Sequence, residues 1–144
     1  MPGIASGYAI GICLYLAAGY PPAPVFIETE KFTLAWNHSI EKVRWEESYQ
    51  VVIDKYGNAV LKANLARIKG SGAGMEPPTE ATLVNGWYVY KPNTWPTTPL
   101  RLTRSGFTDD YQLCVNGSCE IMENIIPTDK GITLLDPCLR KAIR

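Results

Sequence analysis

The chain has 144 residues, enough for one domain with a buried core. Apolar residues make up 46% and charged residues 19%, with 12 glycines and 11 prolines, which is a turn-rich globular composition and excludes a disordered chain. Fourteen basic side chains balance fourteen acidic ones, so no net field favours nucleic acid or an anionic membrane surface, and no nucleic-acid partner is expected.

Charge is absent before Glu28. From Ile4 to Tyr20 every residue is apolar or small. That length is the lower limit for a membrane-crossing helix and long for a signal-peptide core. Ala17-Ala18-Gly19 offers the small residues a signal peptidase reads, although the usual basic start is missing. Residues 1–20 are therefore expected to be an apolar helical segment, either a signal peptide or a membrane anchor. The competing reading is a buried core helix, cut off by Pro21, Pro22 and Pro24. Lys31, Lys42 and Arg44 lie beyond the segment and choose no orientation. Residues 21–30 read as a proline-rich linker, and 31–144 as a single β domain.

Short alternating segments follow. Lys31 to Trp36 suits a half-buried strand, and Tyr49 to Ile53 is β-branched and aromatic. Tyr56-Gly57-Asn58 marks a turn. Ala59 to Ile68 fits either a strand or one helical face, and the strand is preferred because a hairpin gives Tyr49–Ile53 a partner. Trp87 to Tyr90 and Leu100 to Thr103 read as strands, separated by a proline-rich loop. Tyr111 to Met122 reads as a hairpin. Ile132 to Leu135 suggests a last strand, and Pro137 to Arg144 a short helical end. Many short strands with regular turns predict an all-β fold, a small antiparallel barrel or sandwich.

The hairpin carries two cysteines. In Cys114-Val-Asn-Gly-Ser-Cys119 the central Asn116-Gly117 is a strong two-residue hairpin signal, because both residues tolerate φ > 0. Val115 and Ser118 then form the pair next to the turn, and Cys114 and Cys119 face each other at a non-hydrogen-bonded pair. A Cα separation of about 4.5 Å is bridgeable, so a disulfide is expected. Metal binding and redox chemistry are poorer readings of this spacing. Cys138 is left unpaired if Cys13 lies in a membrane or is removed. The disulfide and the apolar segment together predict an extracytoplasmic location.

The run Gly70-Ser-Gly-Ala-Gly-Met-Glu-Pro-Pro78 reads as a shaped loop. Glycine permits positive φ and close approach, and the prolines remove two donors. The ordered set FTLAWNHSIEKVRWEE, VLKANLARIKGSGAGMEPP, NGWYVY, LRLTRSG and YQLCVNGSC resembles domain-of-unknown-function family 1850, over about residues 32–122. The resemblance implies a small exported or membrane-anchored protein whose gene neighbours those of TRAP-type solute transporters of the TAXI class. It implies no activity.

Candidate binding residues are few. His38, the only histidine, sits beside Ser39 and Glu41, with Glu46 shortly after. In a strand His38 and Ser39 point to opposite faces, so they form no dyad. One histidine with glutamates is a thin zinc set. For His38 and Ser39, hydrogen bonding to local backbone at a strand end competes with a ligand-contact role. Gly72, Gly74, Met75 and Glu76 form the second candidate group. The loop lacks the Lys-Ser/Thr of a Walker motif, and Glu76 repels phosphate. Trp36, Trp45, Trp87 and Trp95 read as core before groove. No catalytic residue, metal or cofactor is assigned, and no enzymatic activity is expected. The expected function is a non-enzymatic extracytoplasmic accessory domain. Its partners would be a TRAP-type permease or its solute-binding protein, with the N-terminal segment meeting the membrane. The alternative is a small-molecule or metal-binding module using His38, the glutamates and the Gly-rich loop.

Overall fold

A computed structural model describes residues 7–19, 21–37, 43–70 and 80–141. Among the described residues, eleven strands form two antiparallel sheets stacked face to face. The strands are β1 (Tyr8–Leu16), β2 (Val25–Glu28), β3 (Lys31–Asn37), β4 (Arg44–Ile53), β5 (Ala59–Lys69) and β6 (Thr82–Val84). They continue with β7 (Trp87–Tyr90), β8 (Leu100–Thr103), β9 (Gln112–Val115), β10 (Ser118–Ile121) and β11 (Ile132–Lys141). One sheet has the order β2-β1-β11-β8, the other β10-β9-β3-β4-β5-β7-β6. The architecture is a sandwich with open edges and not a closed barrel.

Two expectations are corrected. The apolar segment is not helical over its described part. Residues Tyr8–Leu16 form β1, paired with β2 on one side and β11 on the other. The reason is period. Ile10, Ile12, Leu14 and Leu16 are buried, and Gly11, Cys13 and Tyr15 alternate with them on the other face. An uncharged run hides this alternation, because small residues stand where polar ones usually mark the outer face. Gly11 is required by packing, since a Cβ there would run into the Ile27 carbonyl and the Phe26 ring. The short helix expected from Pro137 is also replaced by strand over its described part, because β11 runs unbroken from Ile132 to Lys141. Its β8 partner ends at Leu135, so Pro137 sits where that side of the strand is unpaired and a missing donor is tolerated.

The remaining strand expectations hold, and the ambiguous Ala59–Ile68 stretch is part of β5. A register shift between Ser48 and Tyr49 lets β5 carry an extra residue there. The inner faces meet in one core. Ile12, Leu14 and Leu135 from one sheet pack with Phe32, Leu34, Val51 and Leu61 from the other. Met122 and Ile126, in and after a single 3₁₀ turn, complete it.

Two disulfides staple the sandwich. Cys114 and Cys119 face each other in the β9–β10 hairpin with Cα atoms 3.9 Å apart, and Asn116 and Gly117 take φ of 53° and 80° in the turn. Cys138 is not left unpaired. It bridges Cys13 across β1 and β11, joining positions 125 residues apart. No helix among the described residues is long and apolar enough to cross a membrane.

Candidate functional site

His38, Ser39, Glu41, Gly72, Gly74, Met75 and Glu76 lie outside the described residues. Among the candidates only Glu46 is described. The strand ends flanking both undescribed segments stand at one end of the seven-stranded sheet. There, Trp36 pairs with Trp45, Trp45 with Ile68, and Ile68 with Tyr88, one row across β3, β4, β5 and β7.

Glu46 is an ion-pair residue. It lies on the outer face of β4, where its carboxylate meets Arg44 Nε at 2.8 Å and Arg67 Nε at 3.2 Å. With two guanidinium partners, it has little left to offer a metal or ligand.

Its neighbour Glu47 has the opposite situation. Alternation from the buried Tyr49 and Val51 turns Glu47 and Trp45 to the inner face. The row through Glu47 runs Leu34–Glu47–Ala66–Tyr90 across four strands. Around this half-buried carboxylate stand aromatic rings. The Tyr49 hydroxyl donates to Glu47 Oε1 at 2.7 Å. Trp36 stacks on Trp45 with centroids 6.1 Å apart and meets Tyr111 at 5.7 Å. Among the described residues no cationic side chain pairs with Glu47.

The electrostatics fit that picture. Burial, followed by the Glu47 charge, pushes the Tyr49 phenol far above its ordinary range. The same two causes raise Tyr90 and Tyr111. The three phenols therefore stay protonated, and the Tyr49 hydroxyl donates to Glu47. Such an arrangement can receive an ammonium, which a carboxylate pairs with and aromatic faces attract. No group of three potential metal ligands occurs among the described residues.

A second polar centre is structural. Arg104, 4% exposed, donates from Nε and Nη2 to both oxygens of Asp110 at 2.9 Å, and from Nη1 to Thr133 Oγ1 at 2.9 Å. Its carbonyl accepts from the Thr128 hydroxyl at 3.0 Å. This clamp ties the loop after β8 and the approach to β11 together. A cleft of about 520 Å³, lined by Glu28, Glu30, Lys31, Gln50 and Asn116, lies at the far end of β3 and gathers none of the candidates.

Strand parity could have found Glu47 and Arg104. Both continue an inward series, Val51–Tyr49–Glu47 and Leu100–Leu102–Arg104, so each is a charge where the pattern demands an apolar residue. Reading His38, Glu41 and Glu46 as a sequence cluster obscured that signal.

Together the fold and its staples define a small disulfide-bonded β-sandwich. Residues 32–122 match the family model of a domain of unknown function (DUF1850), and the chain belongs to that family. The match takes in β3 to β10 and leaves β1, β2 and β11 outside. No curated protein and no solved structure matches the chain.

Proposed function

We propose that the protein is a non-enzymatic accessory domain. It would work in the periplasm or at the outer face of the cytoplasmic membrane, with a TRAP-type permease or its solute-binding protein as partner. The observation that carries the location is the pair of disulfides, which fits an oxidising, extracytoplasmic environment. The transporter follows from the gene context that the family resemblance implies. Affinity purification of the tagged chain from a host co-expressing the transporter tests it. Stoichiometric recovery of permease or binding protein supports the reading, and its absence under mild detergent defeats it.

A second reading, a small-molecule-binding module, is favoured by Glu47. A half-buried carboxylate held by the Tyr49 hydroxyl, with no cationic partner among the described residues, suits an amine or quaternary ammonium group. Titration with choline, followed by tryptophan fluorescence, reads Trp36 and Trp45 directly. Saturable quenching lost in Glu47→Gln supports this reading, and quenching identical in the variant removes it.

A further inference from the structure

The described part of the solvent face of the seven-stranded sheet collects mainly positive charge. Gln50 and Lys62 form one outward pair, Glu46 and Arg67 another, and Lys69 pairs with Trp87. Arg44 stands on the same outward series of β4. Among the described residues, five cationic side chains, Lys31, Arg44, Lys62, Arg67 and Lys69, thus stand on the outward series of β3, β4 and β5 with one carboxylate, Glu46, which meets Arg44 and Arg67. The balanced composition of the chain conceals this, because several of the described acids lie elsewhere: Glu47 turns inward, and Asp110 and Glu123 meet Arg104.

Tryptophans accompany the cations. The Arg67 guanidinium lies 3.9 Å from the Trp87 ring centroid and Lys69 Nζ 5.2 Å from it. Lys62 Nζ lies 5.7 Å from the ring of Trp95, which is 59% exposed. Val60, Leu65 and Val89 fall between them on the same series and are only partly buried. Indole rings with Lys and Arg alongside are the residue types that settle at a membrane–water interface. Cations spread across a sheet face suit a diffuse negative surface better than a single acidic group.

We infer that the outer face of β4, β5 and β7 docks on an anionic phospholipid surface, with Lys62, Arg67 and Lys69 facing headgroups and Trp87 and Trp95 at the interface. This deepens the accessory-domain reading, on which it rests only for the compartment, and its test needs no transporter.

The test is co-sedimentation of the oxidised full chain with vesicles of phosphatidylglycerol and phosphatidylcholine in equal parts, against phosphatidylcholine alone. Binding is expected only to the anionic vesicles, and it should be released in about 1 M salt, where screening reaches ~3 Å. Lys62→Gln and Lys69→Gln should each weaken partitioning about five-fold, and Trp95→Ala should weaken it further. Near-ultraviolet dichroism confirms that each variant is folded. Failure to bind anionic vesicles, equal binding to neutral ones, or indifference to the lysine changes overturns the inference. Retention on heparin without vesicle binding also overturns it and assigns the face to an anionic polymer. A negative vesicle result beside successful transporter co-purification leaves the accessory reading standing, and the reverse outcome leaves only the lipid surface.

Discussion

The two sheets were assembled in different ways. Most of the seven-stranded sheet is built from neighbours in sequence. β3–β4, β4–β5, β6–β7 and β9–β10 are antiparallel pairs of successive strands, and the whole sheet lies inside the family match. The four-stranded sheet is built from the ends of the chain. Its central pair, β1 and β11, joins Tyr8–Leu16 to Ile132–Lys141, and Cys13–Cys138 locks them together. Local hairpins incur small loop-closure costs, whereas joining the termini incurs a large one that only core burial and a cross-link offset. The difference teaches that the family's shared part supplies one layer of the sandwich, and the flanking strands supply much of the second.

The sharpest way to break that contrast is to remove β1. A chain beginning at residue 21 should lose its cooperative thermal transition and near-ultraviolet dichroism, because Ile10, Ile12, Leu14 and Leu16 leave the core together. A normal melt from that chain would show that the seven-stranded sheet folds without its partner.

Next in size is the terminal disulfide. Closing so long a loop restrains the unfolded chain by roughly 5 kcal/mol on the chain-entropy account. Replacing Cys13 and Cys138 by serine should therefore shift the denaturant midpoint far more than replacing Cys114 and Cys119, whose small ring contributes only about 2 kcal/mol. Equal shifts would refute the loop-length argument.

Arg104 sharpens the comparison from the seam between the layers, where Asp110 and Thr133 both take its hydrogen bonds. Arg104→Ala should cost about 3–5 kcal/mol, since Asp110 loses its principal partner and the space is left unfilled. Arg104→Met, which restores volume, should cost less, and chemical denaturation of the two variants measures the difference.

The smallest effect is alkaline. The phenol of Tyr49 titrates above its unfolded value, so the unfolded chain gives up that proton first. Stability from this group is complete below about pH 10, the unfolded phenol value, and is lost as pH rises from there toward the folded pKa. Tyr49→Phe should flatten the decline of stability above pH 10, and a slope unchanged from the parent would rule Tyr49 out as its source.

Much of the fold was legible because its causes are local. Alternation marked β3, the end of β4, β7 and β8, and Asn116-Gly117 marked the turn that sets Cys114 opposite Cys119. Backbone geometry over a few residues decides such features before any distant contact exists. The short helix expected after Pro137 failed because a proline is tolerated wherever a neighbouring strand stops, and only the pairing shows where β8 stops. The site was the least legible part. Glu46 and Glu47 are adjacent and chemically alike, yet the pleat sends one to two arginines and the other inward to the Tyr49 hydroxyl. Charge balance was equally silent about the basic face, because a sum over the sequence carries no direction. The sequence by itself determined β3, the end of β4, β7, β8, the β9–β10 hairpin with its disulfide, and the family. Only the tertiary structure decided that the apolar start is a core strand, that Cys13 finds Cys138, and which carboxylate and which cations share a surface, because each depends on residues brought together across most of the chain's length.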